Sequence, residues 1–546
     1  MRKAKKEITI IVILFSLAIL YFYKLGSIGF IDVDEPRYAE ASREILESGN
    51  WIVPFFNYVE RFDKPILFYW LGAISMKIFG VNEFAARLPS TLSALLCIAF
   101  VFYLLNTLFS LRTALFGSAI LMTCFEFAAL SRFSVTDMAL TTFITCSLIS
   151  FFLGYHRLLF SHRFFKMQIS EISLWYIVGF IFLGLAFLTK GPVALILLGI
   201  ILVPFFWWVG KMDYFFKSSS FYIGFVLFLM IVLPWYLSVH FATDGEFTKI
   251  FFGLHNFSRY TDIVSGHKGS FFYFVPVLLI GFLPWTFFLP QAINFVTKKG
   301  LKSLLGSTKA QLPWFCLWWS IVVFLFFSFS KTKLLTYILP IFPALSIIVA
   351  LWFEELLTKQ SINYGLITGL VIFFLFCIVM LCICLFNLDL ILPREVKDLK
   401  LDLQILFFGF LMFVGISMAL ASSHRDMMMT LSIILTTFTL LYFCLITSLL
   451  PKVDKHAQLA LRNFAKSMPN NIEIATYQIV KPSLTFYAKR HVKKISSLER
   501  LQERLNSERK IAFVTKKQLL RGIMLDNFYF LGSDSRYVFF TNYPAE

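Results

Sequence analysis

Apolar runs of about twenty residues recur from one end of this chain to the other, each long enough to cross roughly 30 Å of hydrocarbon. No water is available inside that layer, so each run must satisfy its own backbone hydrogen bonds as a helix. Charge agrees with this reading. Only 15% of the 546 residues are charged and 58% are hydrophobic, whereas a soluble domain carries about 25% charged residues. The sequence therefore predicts spans near residues 8–28, 88–110, 113–132, 135–156, 173–190, 192–210, 219–240, 270–292, 313–330, 334–353, 364–388, 404–421 and 428–449. That makes about thirteen, with boundaries uncertain by several residues.

The formal net charge of +18 would suggest nucleic acid in a soluble protein. Here the cations sit in short loops between spans, as expected of loops that stay cytoplasmic, and there is no nucleic-acid motif. Segments 2–6, 157–166, 211–217 and 298–309 are basic, and alternation puts them all on one side. That side is inside, so an odd number of spans leaves the tail after Leu450 outside. The start, Met1 to Lys6 followed by an apolar run, resembles a signal peptide but lacks a small-residue cleavage site, and is read as an uncleaved first span. The cysteines Cys97, Cys124, Cys146, Cys316, Cys377, Cys382, Cys384 and Cys444 all lie in apolar runs. They read as small buried hydrophobes, and the Cys382–Cys384 spacing is not a metal signature.

Three stretches differ. Residues 29–65 form a long external loop expected to hold amphipathic helices on the membrane surface. Residues 66–80 are apolar but too short to span, so they are interfacial or re-entrant. Residues 241–269 form a second long external loop. From residue 451 to 546 the pattern changes: strand-like alternation at 472–480, 510–515 and 528–540 surrounds a polar helical stretch at 498–508. This predicts a small extracytoplasmic α/β domain after an all-α polytopic membrane domain of residues 1–450. The tail has no phosphate loop or nucleophile motif and reads as a packing or recognition module.

With this topology Asp34, Asp63, Lys64, Asp137, Lys190, His255, Arg259, Lys331 and Lys333 all map to the external face. Ionisable groups at membrane depth usually mark function; the alternative is that they are snorkelling charges at span ends. In DVDEPRYAE (residues 32–40) three carboxylates fall within four residues. They could bind a divalent cation or supply a general base, while an Asp before Glu-Pro also suits a helix start. Adjacent Asp63 and Lys64 could hold a metal and a phosphate, or form an ordinary surface pair. Lys190 and Arg259 could neutralise a pyrophosphate-like or phosphodiester charge.

The motifs DVDEPRYAE, ERFDKPILFYW (60–70), SRFSVTDMAL (131–140), LAFLTKGP (185–192) and SKTKLLTYILPIFPAL (330–345), in this order over most of residues 1–350, resemble the GT-C glycosyltransferases of the protein O-mannosyltransferase superfamily (glycosyltransferase family 39), closest to bacterial transferases that add aminoarabinose to lipid A. The resemblance implies a multi-pass enzyme of the bacterial inner membrane whose active site faces the periplasm. Its donor would be a sugar on undecaprenyl phosphate, 4-amino-4-deoxy-L-arabinose or a related sugar, and its acceptor lipid A or another glycan. It further implies that Asp34 and Asp137 are catalytic together with Lys64, that Lys64, Lys190, Arg259 and Tyr337 surround the donor phosphate, and that Asp63 and His255 hold a divalent metal ion. One departure is visible: the family leads one to expect Glu-Lys where this chain has Asp63-Lys64. The readings weighed against this are a related transferase acting on another glycan or on protein, and a lipid or sugar transporter. A transporter would favour repeated halves and a midplane site; no convincing internal repeat is found, and the charges gather at one surface.

Overall fold

The computed structural model describes residues 2–165, 173–258, 269–359, 364–386, parts of 401–416, 427–521, 523 and 525–544. Among them, 7 helices are long and apolar enough to cross a bilayer: Glu83–Leu108, Thr136–Leu159, Ser219–Ala242, Thr308–Phe329, Leu335–Thr358, Tyr364–Ile383 and Ser432–Ala457. Shorter apolar helices of 10–17 residues precede them, Ile8–Phe22 and Leu67–Phe79, or lie between them, Leu111–Thr123, Leu174–Lys190 and Pro192–Trp208. The chain is a multi-pass membrane protein. The expected span at 404–421 lies mostly outside the described residues. The expected junction near residue 450 falls within the Ser432–Ala457 helix, which continues past it.

Two expected spans are broken. The stretch expected at 270–292 runs as Phe271–Gly281 and Trp285–Lys298, bent by 104°. Pro284 lies in the break and has no N–H to continue a helix. The span expected at 113–132 stops at Cys124, whose ψ of 122° is extended, and resumes as Phe125–Leu130. A break at membrane depth exposes backbone groups that must find partners, and these two breaks serve each other. The Phe125 N–H donates to the Leu283 carbonyl at 3.1 Å, the Cys124 thiol to the Gly281 carbonyl at 3.0 Å, and the Trp285 indole to Thr123 Oγ1 at 2.9 Å.

The first long loop holds a helix, Asp34–Ser48, a short antiparallel pairing of Phe55–Phe56 with Val59–Glu60, and then the Leu67–Phe79 helix. Contrary to the expectation of helices lying on lipid, Asp34–Ser48 is enclosed by protein. Glu35, Glu40, Arg43 and Glu44 are all buried on it, a face that only paired partners could cover. It sits against Leu67–Phe79, where a Cβ on Gly72 would come 2.4 Å from Ser42 Oγ, so only glycine permits this approach.

The α/β tail is present. Its five strands run in the spatial order Val492–Ile495, Glu473–Tyr477, Ile511–Lys516, Tyr537–Thr541, Tyr529–Ser533. The first three are parallel, joined by the helices Pro482–Ala488 and Leu498–Leu505, and the last two close the sheet as an antiparallel hairpin. The strand-like stretch at 528–540 is thus two strands.

This tail clamps the start of the first loop. Asp32, its side chain 3% exposed, pairs with Lys481 at 3.4 Å and accepts from the Ser483 N–H at 3.0 Å, the Ser483 hydroxyl at 2.8 Å and Gln458 at 3.0 Å. The Gly29 N–H donates to Asp454 and the Phe30 N–H to the Tyr487 hydroxyl. Removing one partner of a buried pair costs about 3–5 kcal/mol. Asp32→Ala is therefore expected to lower the thermal unfolding temperature in detergent and to speed protease cleavage of the tail, measured by limited proteolysis.

Candidate functional site

The site is built on a buried ion pair. Arg87, near the start of the Glu83–Leu108 helix and 1% exposed, donates to both carboxylate oxygens of Glu35 at 2.6 and 3.0 Å. Its remaining donors reach the carbonyls of Leu25, Ile28 and Gly29 at 2.9, 2.9 and 3.0 Å. Glu35 also accepts the N–H groups of Ile31 and Ser134. Of the three acids that open the motif, Asp32 is held by the tail and Glu35 by Arg87. Asp34 is left outward at the first turn of its helix, its side chain 57% exposed and 3.5 Å from Arg37.

Asp63 and Lys64 sit below the short strand pair. Asp63 is gripped by Arg61, with Nε–Oδ1 at 2.6 Å and Nη2–Oδ2 at 2.7 Å. The guanidinium lies over the Tyr38 and Phe56 rings and donates to the Tyr69 hydroxyl. Lys64 is 6% exposed, its ammonium donating to the Asp63 carbonyl at 2.9 Å.

A second cluster joins three residues singled out in the sequence. Lys190, the last residue of Leu174–Lys190, places its Nζ 2.6 Å from Asp137 Oδ1 and 4.6 Å from the centre of the Tyr337 ring. The Lys190 and Asp137 side chains are each 12% exposed. Asp137 occupies the first turn of its helix and Tyr337 lies in the 3₁₀ turn Leu335–Ile341. Aromatic packing links this cluster to the first: Phe62 packs on Phe247, Phe247 stacks on Phe251, and Phe251 abuts Gly191. Gly191, at φ 79°, makes the turn that ends the helix at Lys190. Lys333, by contrast, caps a helix: its ammonium donates to the carbonyls of Phe327, Ser328 and Ser330.

The side chain of His255 and all of Arg259 lie outside the described residues. Among the described residues, no three His, Cys, Asp or Glu side chains gather closely enough to hold a metal ion. Both Asp63 oxygens face the Arg61 guanidinium, so the described part of the site does not fit one.

Residues 7–244 match the family model for dolichyl-phosphate-mannose-protein mannosyltransferases. Over this stretch the chain is similar to that family. Relatives agree with it. The chain is 33% identical over 350 residues to the undecaprenyl phosphate-alpha-4-amino-4-deoxy-L-arabinose arabinosyl transferase of Shewanella sediminis, covering 64% of this chain and 60% of that protein. It is 31% identical over 376 residues to arabinosyl transferase 2 of Proteus mirabilis, covering 68% and 64%. The match thus spans less than two thirds of those relatives' own length. In structure the chain is similar to ArnT from Cupriavidus metallidurans bound to undecaprenyl phosphate, with a TM-score of 0.83 at 22% identity over 98% of each chain. An Archaeoglobus fulgidus oligosaccharyltransferase is similar more distantly, with a TM-score of 0.51 at 14% identity over 93% of this chain and 69% of that one. The fold anticipated from the resemblance is the fold found.

Three site residues escaped the sequence reading. Arg87 was hidden at the edge of an apolar run, although a charge there is expensive enough to be a signal. Arg61 is one of several charges in its loop, and nothing in the sequence sets it apart. Glu126, inside an expected span, is half-buried, lies against Gly281 and has one carboxylate oxygen without a partner among the described residues.

The loop helix also carries a proton-sensitive pair. Burial and the neighbouring Glu40 carboxylate push Glu44 up from 4.5 to about 8. The folded state thus holds a proton that the unfolded chain releases, so stability is greatest below about pH 4.5 and is lost as pH rises through about 8. Glu44→Gln is expected to flatten the fall in unfolding temperature between about pH 4.5 and 8. Arg87→Ala is expected to cost about 3–5 kcal/mol, and Arg87→Met with Glu35→Gln to recover part of it, read from chemical unfolding in detergent.

Proposed function

We propose that this chain is a glycosyltransferase of the bacterial inner membrane. It moves 4-amino-4-deoxy-L-arabinose or a related sugar from undecaprenyl phosphate to lipid A, at a site facing the periplasm. The observation that carries this reading is the Asp137–Lys190–Tyr337 cluster: an ammonium held at a span end between a carboxylate 2.6 Å away and an aromatic face. Two features support it further, the arabinosyl transferase relatives and the like fold of an enzyme bound to undecaprenyl phosphate.

Breaking the bond between sugar and phosphate puts negative charge on the departing lipid phosphate and positive charge on the anomeric carbon. Cations fixed in advance, in a site that excludes water, stabilise that leaving group without reorganising. Lys190 and Lys64 supply that charge, with Arg259 as the third cation assigned from the sequence. Asp137 holds Lys190 in place and Tyr337 walls the donor end. Asp34, outward and only loosely paired, takes the proton of an acceptor hydroxyl; an acceptor phosphate needs no base and uses Asp34 only to orient it. A divalent ion on Asp63 and His255 is a separate proposal, since Asp63 would have to exchange Arg61 for the ion. Transfer measured before and after chelation decides it.

The test is transfer from radiolabelled undecaprenyl-phosphate sugar in proteoliposomes, with lipid A followed by mass spectrometry. Asp34→Asn is expected to lose about 10²–10⁴-fold in kcat, the usual share of a general base. Lys190→Ala is expected to lose about 10²–10³-fold. No transfer by the wild-type chain with any lipid-linked sugar would overturn the reading. If Asp34→Asn retains activity, the acceptor group is already anionic.

A further inference from the structure

A cavity of 590 Å³ opens on the α/β tail, lined by Ala465, Lys466, Met468, Asn470, Tyr487, Ala488, Lys489 and Arg490. It lies apart from the clusters described above yet shares a wall with the first loop. The hydroxyl of Tyr487, which lines it, accepts from the Phe30 N–H and donates to Glu83, and the Lys489 carbonyl accepts from Tyr58.

Its charge is one-sided. Lys466, Lys489 and Arg490 line it, and among the described residues no carboxylate pairs with any of them. Each is held in place. Lys466 Nζ lies 5.4 Å from the centre of the Tyr487 ring. Lys489 ends the Pro482–Ala488 helix at φ 51°. Arg490 is tied by its two terminal nitrogens to the carbonyls of Pro469 and Met468 at 2.5 and 2.9 Å, while its buried Nε lacks a partner among the described residues. Lys466 and Lys489 are exposed and Arg490 is partly buried, and three like charges lining one hollow favour an anion there.

The form of these cations selects the anion. The fork that would grip a planar carboxylate is taken by backbone carbonyls, leaving Arg490 as charge. The two lysines are exposed point charges, suited to the spread charge of a phosphate. The volume, within the roughly 300–1,000 Å³ of small-molecule sites, exceeds what a bare phosphate needs. Tyr487, Met468 and the two alanines give an apolar wall beside the charge.

We propose that this cavity binds the phosphate monoester of a sugar, with Lys466, Lys489 and Arg490 around the phosphate and the Tyr487 side carrying the sugar. The source is either the headgroup of a phosphorylated glycolipid at the outer membrane surface or a soluble sugar phosphate. The proposal extends the acceptor side of the transferase reading, but binding is measured without transfer, so either can fail alone.

The full chain in phosphatidylcholine nanodiscs would be titrated calorimetrically with glucose 1-phosphate, and with glucose as the uncharged control. Glucose 1-phosphate is expected to bind and glucose not. Affinity should fall at least about tenfold in Lys466→Gln/Lys489→Gln and stay near wild type in Lys466→Arg/Lys489→Arg, since charge and not shape carries the contact. Thermal unfolding of both variants checks that the tail is intact. Discs containing a diphosphorylated glucosamine lipid separate the sources: displacement of the probe assigns a lipid headgroup, and undisturbed binding assigns a soluble sugar phosphate. No binding, or equal binding by wild type and the Gln variant, would overturn the proposal.

Discussion

The Arg87 guanidinium is the contact on which the rest of the candidate site depends. The chain leaves its first span with carbonyls at Leu25, Ile28 and Gly29 that no helix can use, and Arg87 takes all three while its other donors hold Glu35. A charge this deeply enclosed is tolerable only when every donor is used. Its effect is directional. Glu35 is drawn inward against Arg87, so Asp34, one residue earlier, is turned outward at the same helix start. Gly29 and Phe30 are presented to Asp454 and Tyr487 of the tail. The tail, the loop helix and the exposed acid are thus three consequences of one ion pair.

The same rule of satisfied backbone governs the membrane region. The interruptions at Cys124 and at Pro284 each free polar groups where there is no water, and each meets the other's need. Glu126 lies beside this junction, against Gly281, and the Asp137 helix starts just beyond it. Irregular backbone in the membrane therefore occurs where charged residues are grouped, as expected when protein and not lipid surrounds it.

Much of this was legible in advance. The apolar helices follow from run length, and the α/β tail from a change of period near residue 451. Lys190, Asp137 and Tyr337, drawn from segments far apart in the chain, do meet. Other features were not legible, for physical reasons that can be named. A hydropathy window averages over a proline and cannot see that the 270–292 run bends by 104°. Amphipathic periodicity shows that Asp34–Ser48 has two faces, but not that protein covers both. The motif displays Asp32, Asp34 and Glu35 as equals, because a sequence carries no partners.

By itself the sequence determined which segments are apolar enough for a membrane, the order of elements and the residue types available to the site, because transfer free energy and period depend on local composition. Only the tertiary structure decided which acid is bound, which is exposed and which cation meets which carboxylate. Those outcomes depend on distances between residues 29 and 454, or 137 and 190, that chain order does not encode. An ion pair at 2.6 Å between Lys190 and Asp137 and a guanidinium shared among a carboxylate and three carbonyls exist only once the helices that carry them have packed.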